Sequence, residues 1–560
     1  YTAKAGSVPY AWYLSRIEDK YGNVMYYTYT TVNGCVYLTQ VQYGTNLGGS
    51  TGLSNIVTFV YESRTDAIPY IVNGQSCSMN RRLTSVTIKT NNVERNKYTL
   101  TYSNADAFSR LTKIEESYGT TKLPPVTLGW KTISTEISQT PFTISDDYIV
   151  TLPNFKHVGF MSGDINGDGL TDIISLFYPN SASVNNGEGV ARCFLNYGND
   201  VYEINTVFNL GLNIDSYQTQ HCIGDFYGNG CSEMILPSVN GNGQVQIVFS
   251  KTGNTAHYSI KNSEMPVFTV GSLYNNGKSC FVLIDKGKDD NNNGHKTLIV
   301  FRDNSGNPHS TGGYLNIPNS PKNIFISDFN GNGMEDLMIV YNGGYTIYWN
   351  QGVTFGSMPF SDSKKTTGSN LKDVKVVQMG DFNGDGLADF VSNATDDYNW
   401  YFYLNNGNGS FTQKKAATMD GLIACSSYPF SEKKAKFVCN VFDFNHDGKD
   451  DIVISYAQYV SMFFNQTYTF WMTSDGSTLT KVKTASSNNE DDALNGFYMT
   501  GDFNGDGYIE LMNYGYDCYG STSANVAPSW HVYRNPAVSA ATNKLTSISV
   551  GQSGIYTTIS

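Results

Sequence analysis

A short acidic, glycine-containing segment recurs seven times along this chain and constrains its fold more than any other feature. Its copies begin at residues 164, 225, 272, 328, 381, 443 and 502, which are 47 to 62 residues apart. Each copy precedes a short β-prone run, as at residues 173–177 and 452–456. Units of about 50 residues with about four strands each are typical of propeller blades. The repeat therefore predicts an all-β fold: a seven-bladed β-propeller plus an N-terminal tyrosine-rich β-sheet or sandwich region.

The best-kept copies read Asp-x-Asn-x-Asp-Gly-x-x-Asp, which places side-chain oxygens at positions 1, 3, 5 and 9. Ca²⁺ takes about six to eight oxygen ligands, and glycine at position 6 permits the sharp turn that gathers them. An EF-hand would need a glutamate at position 12, where Ser175 and Ser392 stand in two copies. Asn-Gly and Asp-Gly steps also form simple turns, but a turn needs no acid at position 9. Repetition of the whole oxygen set favours a cation site.

We expect Ca²⁺ as the cofactor, at about five to six of these loops. The copy at Asp225 is incomplete because Tyr227 stands at position 3, and the copy at Ser272, with Cys280 at position 9, is expected to bind no metal. Position 7 would contribute only its backbone carbonyl. The predicted ligands are Asp164, Asn166, Asp168, Leu170, Asp172, Asp225, Asn229, Glu233, Asp328, Asn330, Asn332, Met334, Asp336, Asp381, Asn383, Asp385, Leu387, Asp389, Asp443, Asn445, Asp447, Lys449, Asp451, Asp502, Asn504, Asp506, Tyr508 and Glu510.

These loops resemble the FG-GAP or VCBS repeats of integrin α-subunits and of many bacterial surface and secreted proteins. The resemblance covers roughly residues 150–535. It implies a propeller with Ca²⁺ in the loops between the first two strands of its blades.

The flanks of the repeats share a second pattern, Leu-Thr/Ser-x-Ile/Val, at residues 14–17, 38–41, 83–86 and 111–114, and again at 545–548. Together with the motifs at residues 12–23 and 123–130, they resemble the SpvB-type region of toxin-complex B components and related RHS/YD-repeat proteins. That resemblance implies a β shell that encapsulates a toxic polypeptide, with the propeller as docking face or gate toward a pore-forming subunit.

Three segments follow from these patterns: a SpvB/YD-like β region at 1–145, the propeller at 146–537 and the start of a further shell-like β segment at 538–560. Because the same element lies on both sides of the repeats, we expect the propeller to be an insertion into one β layer. Residues 544–560 should then pair with the sheet formed by residues 1–130.

Composition excludes several classes of function. The net charge is −12 with no basic stripe, which argues against nucleic acid, and no run of about 18 apolar residues spans a bilayer. The seven histidines form no HExxH motif, and no Gly-x-Ser-x-Gly elbow is present. We therefore expect no enzyme activity. His446, at position 4 of its loop, is expected to be a solvated turn residue.

The expected function is a non-catalytic, calcium-binding scaffold and protein-docking module of a secreted or cell-surface bacterial protein. Its partner would be a protein such as a pore-forming or shell subunit. A surface or secreted propeller that binds carbohydrate or mediates adhesion is the alternative, because Tyr and Trp side chains with Asn-rich loops also suit sugars.

Overall fold

Every regular element that the structure describes is a β-strand. The structure, a computed structural model, describes residues 2–558 apart from 6–7, 47–52, 73–74, 105–108, 131–137, 142–151, 182, 186–188, 199–201, 210–221, 240–243, 250–254, 260–265, 289–293, 303–306, 372–373, 395–398, 419–436, 462–463, 488–496, 506, 516–528, 535–544 and 551–554. None of these residues forms a helix of the length and apolarity that crossing a membrane would require.

Six antiparallel sheets are each built from four consecutive strands, and we number them blades 1 to 6. Blade 1 comprises β13 (Phe155–Gly163), β14 (Asp172–Pro179), β15 (Val190–Asn196) and β16 (Tyr202–Asn209); blade 2 comprises β17 (Cys222–Gly224), β18 (Glu233–Val239), β19 (Gln244–Phe249) and β20 (Thr255–Ser259); blade 3 comprises β21 (Val267–Gly271), β22 (Cys280–Lys288), β23 (His295–Arg302) and β24 (Pro308–Leu315).

The other three blades follow the same order. Blade 4 comprises β25 (Pro321–Ser327), β26 (Asp336–Tyr341), β27 (Gly343–Tyr348) and β28 (Lys365–Leu371); blade 5 comprises β29 (Val374–Gly380), β30 (Asp389–Ala394), β31 (Asn399–Asn405) and β32 (Phe411–Thr418); blade 6 comprises β33 (Phe437–Phe442), β34 (Asp451–Ser461), β35 (Phe464–Ser474) and β36 (Leu479–Ser487).

The sequence predicted seven blades of the same kind, but the described residues form only six such sheets. The seventh copy of the loop lies in a four-stranded sheet of mixed origin, which we call the mixed sheet. It consists of β37 (Phe497–Gly501), β38 (Glu510–Gly515) and β39 (Ser529–Arg534), followed in space by β12 (Ser138–Pro141). The difference arises because the next strand after β39 along the chain belongs to another sheet, so a strand from before the repeats takes the fourth place.

An eleven-stranded sheet carries the two flanks of the repeats together. Its strands are β3 (Arg16–Glu18), β4 (Asn23–Val32), β5 (Cys35–Asn46), β6 (Asn55–Val72), β7 (Gln75–Thr90), β8 (Val93–Ser103), β9 (Arg110–Tyr118), β10 (Thr121–Lys122), β11 (Val126–Trp130), β40 (Leu545–Val550) and β41 (Ile555–Thr558). Strand β40 pairs with β11, with Ile548 opposite Leu128, so the predicted pairing of the two flanks is confirmed. A separate hairpin consists of β1 (Thr2–Ala5) and β2 (Val8–Trp12).

The core of the propeller lies between blades. Strand β26 is buried at all six positions, because a neighbouring sheet covers each of its faces. Between blades 4 and 5, the ring of Tyr345 in blade 4 packs against those of Phe411 at 5.2 Å and Phe390 at 6.4 Å in blade 5. Each fully buried side chain of this size stabilises the fold by about 1.5–3 kcal/mol. The packing thereby brings the ends of neighbouring first strands, and their loops, close together.

Candidate metal centres

The predicted cation loops connect the first and second strands of each blade. In blade 1 the loop runs between paired residues Gly163 and Asp172, and in blade 5 between Gly380 and Asp389. The acid at position 9 is therefore the first residue of the second strand. Positions 1 to 8 project beyond the sheet.

Two left-handed residues, at positions 4 and 6, turn each loop. In blade 1 they are Gly167 and Gly169, with φ of 80° and 88°. In blade 6 position 4 is His446, which holds a φ of 60° without being glycine. The expectation that His446 is solvated is wrong: the residue is 8% exposed, and its ring lies 4.0 Å from that of Tyr508 in the next loop. Burial lowers the pKa of His446 to about 4.

The loop's own amides orient the carboxylate at position 1. Asp164 Oδ1 accepts hydrogen bonds from the N–H groups of Gly167 (2.6 Å) and Asp168 (3.1 Å), and its Oδ2 accepts one from Gly169 (2.8 Å). The same three bonds recur around Asp381. A carboxylate has about four lone-pair sites, two on each oxygen, so these three bonds leave a site on Oδ2 that could ligate a cation.

Positions 3 and 5 are oriented in the same way. The Asn383 side-chain oxygen accepts from the N–H of Asp385 at 2.8 Å, and Asp385 accepts from that of Leu387 at 3.0 Å. The position-7 residues Leu170, Met334, Leu387 and Lys449 use their N–H groups in this way and could offer a cation only their carbonyl oxygens. At Lys449 the ammonium also lies 3.7 Å from Asp447 Oδ2.

The position-9 acids are buried and already hydrogen-bonded. Asp172 accepts from the N–H groups of Ile165 (2.7 Å) and Asn196 (2.8 Å). Burial raises the pKa of Asp172 to about 6, of Asp336 to about 7, of Asp389 to about 8 and of Asp451 to about 9; in each case the acid at position 1 of the same loop raises it further. A cation would favour the ionised form of all four.

In several blades, a side chain at or just after the end of the third strand links the loop of its own blade to that of a neighbouring sheet. The sequence analysis did not identify these side chains. The side-chain amide of Asn405, at the end of β31, donates to the carbonyl oxygens of Ala388 in its own blade and Phe329 in blade 4. Asn350 and Asn196 make the equivalent pairs of bonds, and the Ser474 hydroxyl reaches Phe382. The signal was the recurring Asn-x-Gly step, which indicates only a hairpin when a single blade is considered.

Backbone hydrogen bonds link neighbouring loops directly. The N–H at position 8 donates to the position-1 carbonyl of the preceding loop, from Ser232 to Asp164 (2.6 Å) and from Asp450 to Asp381 (2.8 Å). The N–H of Thr171 in blade 1 donates to Asp502 of the mixed sheet at 3.0 Å. The first and last loops are therefore neighbours.

The complete loops fit a hard cation in the chemistry of their donors, because their ligand positions carry carboxylate, amide and carbonyl oxygens and no nitrogen or sulfur ligand. In the described part of the chain, no three His, Cys, Asp or Glu side chains meet as a group able to hold a metal, so the amides of Asn166, Asn330, Asn383 and Asn445 would have to complete each set. Asp506 lies outside the described residues. The turn does not depend on a full ligand set, since the incomplete loop at Asp225 makes the same three bonds.

The model of one protein family, described as FG-GAP-like repeat, matches residues 328–392, 381–454 and 443–512. Residues 328–512 carry FG-GAP-like repeats. The expected resemblance is confirmed for this part of the chain, which contains the loops at Asp328, Asp381, Asp443 and Asp502. The FG-GAP-like match does not extend to the loops of blades 1 to 3.

Among curated proteins, nothing matches the chain. Solved structures with a similar arrangement include the Tc holotoxin pore of Photorhabdus luminescens, with 15% identity, a TM-score of 0.40 and coverage of 89% of this chain and 28% of that chain. The complex of TcdB2, TccC3 and Cdc42 matches with 14% identity, a TM-score of 0.39 and coverage of 90% and 28%. BBS1N in complex with ARL6DN matches with 9% identity, a TM-score of 0.36 and coverage of 68% and 93%. The chain thus spans little more than a quarter of the toxin chains that it matches.

Proposed function

We propose that this chain is a non-catalytic, calcium-binding scaffold whose propeller presents a protein-docking face. One observation carries the proposal: oxygen-rich loops stand at the same place in successive blades and hydrogen-bond from one blade to the next. Binding residues are often carried by loops on a rigid scaffold, and a face assembled from several linked loops offers such a surface to a protein partner.

The ring of the proposed scaffold closes through the mixed sheet, which would serve as the seventh blade. Two contacts support closure. The Asn196 side-chain amide of blade 1 donates to the Phe503 carbonyl at 2.9 Å, and the Ser162 hydroxyl donates to that of Thr500 at 3.2 Å. Hydrophobic clusters span the successive sheets from blade 1 to the mixed sheet, where Trp471 of blade 6 packs with Tyr533.

Ca²⁺ would be held by the side chains at positions 1, 3, 5 and 9 and the carbonyl at position 7. The complete sets belong to the loops that begin at Asp164, Asp328, Asp381, Asp443 and Asp502. When bound, the cation would neutralise carboxylates that otherwise face one another, and it would stabilise the folded state because the unfolded chain has no such site. The chain's own amides would already hold the oxygens in place.

The biological setting follows from the resemblance of the flanks to SpvB-type and RHS/YD-repeat shells of toxin complexes. In that setting the chain would be secreted or exposed on a bacterial surface. Its segments at 1–145, 146–537 and 538–560 would be shell, docking propeller and returning shell. The partner would be a pore-forming or shell subunit. The pairing of β11 with β40 is consistent with a propeller inserted into one layer.

The test is a metal count together with melting. After dialysis against millimolar Ca²⁺, elemental analysis should find about five Ca²⁺ per chain, and removal by EDTA should lower the melting temperature. Asp381→Asn should lose one Ca²⁺. Asp475→Asn is the matched control, because Asp475 accepts N–H bonds from Ser477 and Thr478 in a turn outside the cation loops. A chain without divalent metal, or an unchanged melting curve after proven metal loss, would refute the proposal.

A further inference from the structure

The loop of blade 2, at Asp225, has the backbone of a cation loop without its full set of ligands. The Asp225 carboxylate accepts N–H bonds from Gly228, Asn229 and Gly230, as in the complete loops. At position 3, where the complete loops have asparagine, Tyr227 offers an aromatic ring. The acid at position 9 is Glu233, which is 1% exposed.

A buried arginine from the neighbouring blade faces this loop. Arg302 ends strand β23 of blade 3 and is 1% exposed. Its guanidinium carbon lies 4.4 Å from the centroid of the Tyr227 ring, within the range of a cation–π contact. The residue occupies the place in blade 3 that Asn350 and Asn405 occupy in blades 4 and 5, and their side chains also reach into the loop of the preceding blade.

Burying a guanidinium costs several kcal/mol unless a negative charge lies nearby. The Glu233 carboxylate lies beside Tyr227 in this loop, because it accepts the N–H bond of the adjacent Phe226 at 2.7 Å. Burial lowers the pKa of Arg302, and Tyr227 and then Glu233 oppose that change. The blade that supplies the arginine has itself lost the acids of its own loop, where Ser272 and Cys280 stand at positions 1 and 9. Blade 3 therefore supplies a cationic side chain, Arg302, and lacks the acids of a metal-binding loop of its own.

Formal charges make the exchange consistent. The three acids of the blade 5 loop, Asp381, Asp385 and Asp389, would sum to −1 with a divalent cation, and the two acids of the blade 2 loop sum to the same −1 with one guanidinium. The aromatic ring of Tyr227 would provide the remaining contact surface in place of an amide oxygen.

We propose that the guanidinium of Arg302 takes the place of the metal ion at the loop of Asp225, so that this loop is held by an internal cation and binds no Ca²⁺. The inference rests on the proposed calcium function for the other loops, from which it sets this one apart.

Metal counting on the full chain tests whether the loop of Asp225 binds Ca²⁺. Asp225→Asn should leave the number of bound Ca²⁺ unchanged, while the matched variant Asp381→Asn should lower it by one. A loss of one Ca²⁺ in both variants would overturn the inference and leave the calcium function standing. Conversely, Tyr227→Asn together with Arg302→Asn should gain one Ca²⁺ per chain, whereas Tyr227→Asn alone should gain none. A gain in the single variant would contradict the assignment.

Melting in excess EDTA tests whether Arg302 stabilises this loop when no metal is bound. Arg302→Met should lower the melting temperature by on the order of 5 °C or more in EDTA, and Arg302→Lys should recover part of the loss because it restores the charge. Arg192→Met is the control, since Arg192 also lies over a ring, that of Phe177 at 5.5 Å, but within a strand pair. Equal melting of Arg302→Met and the wild type would refute the proposal. If the wild type bound no Ca²⁺ at all, the calcium function would fail while this melting comparison still decided the role of Arg302.

Discussion

Asp172, Asp336, Asp389 and Asp451 begin the second strands of four blades and are fully buried. Each carboxylate accepts an N–H bond from the residue that ends or follows the third strand of its blade, such as Asn405 for Asp389 at 2.7 Å. At the scale of single residues, these acids therefore connect the loop, the second strand and the third strand. Their ionised forms are unfavourable in the absence of a cation, because burial raises the pKa of each one.

The raised pKa values predict how stability changes with pH when metal is removed. In EDTA these four acids bind more protons in the folded chain than in the unfolded chain between about pH 4 and pH 9, so the stability that they contribute is present below pH 4 and is lost as pH rises through about 6 to 9. The pKa of Asp389 rises to about 8, and Asp389→Asn should therefore reduce the fall in unfolding free energy between pH 5 and pH 9 by a few kcal/mol at most. Urea unfolding at both pH values measures this. An identical fall in the variant and the wild type would contradict it.

The bridging amides predict a second single-residue effect. Asn405→Ala removes two side-chain donations, to Phe329 and Ala388, and leaves those buried carbonyls without that partner. We expect a loss of about 1–3 kcal/mol in unfolding free energy. The control is the adjacent Asn406→Ala, because Asn406 is exposed and its side chain bonds to Ser410 and Thr412 of its own hairpin. Denaturant unfolding of the two variants compares them, and equal losses would contradict the bridging role.

At the scale of elements, the long hairpin of β6 and β7 reaches the propeller. A methyl group added at Gly331, in the loop of blade 4, would overlap the carbonyl oxygen of Ile71 near the tip of that hairpin. In other loops the same position faces the next blade, as Gly384 faces Gly448. The hairpin thus contacts one predicted cation loop through a glycine whose missing side chain leaves room for it.

This contact predicts a difference between two glycines of one loop. Gly331 and Gly333 both have positive φ, 70° and 82°, so alanine strains the backbone at either position. Only at Gly331 would alanine also meet the hairpin, since nothing lies within 4 Å of a methyl group at Gly333. Gly331→Ala should therefore cost about 1–3 kcal/mol more than Gly333→Ala in unfolding free energy. Equal costs would show that the hairpin does not press on the loop.

At the scale of the whole molecule, the two ends of the repeat array are closed by residues distant in sequence. Strand β12 pairs with β39, with Gln139 opposite Tyr533, and β11 pairs with β40 in the eleven-stranded sheet. Both pairings tie a strand from before the repeats to one that follows the last loop. The chain therefore leaves the large sheet, forms the blades and returns beside its point of departure.

Closure by β12 predicts where protection is lost when that strand is removed. Replacing Ser138–Pro141 with four glycines should speed hydrogen exchange of the β39 amides, because an unpaired edge strand exposes its N–H groups to water. The same replacement of Thr2–Ala5 is the control, since β1 pairs with β2 in a separate two-stranded sheet. Exchange measured by mass spectrometry should change in β39 in the first variant alone. Unchanged β39 protection would mean that β12 does not close the sheet.

The all-β class and the positions of the loops could be predicted from the sequence, because both depend on residues within about ten positions of one another. The recurring flank element even predicted the pairing of β40 with β11.

Other features were decided only by the tertiary structure. The bond from Asn196 to Phe503 joins residues 307 positions apart, and that from Asn405 to Phe329 joins residues 76 apart. The origin of the fourth strand of the mixed sheet, the burial of His446 and the placement of Arg302 over Tyr227 likewise depend on which sheet lies beside which. Local spacing contains no information about such neighbours, because they meet only when whole blades pack against one another.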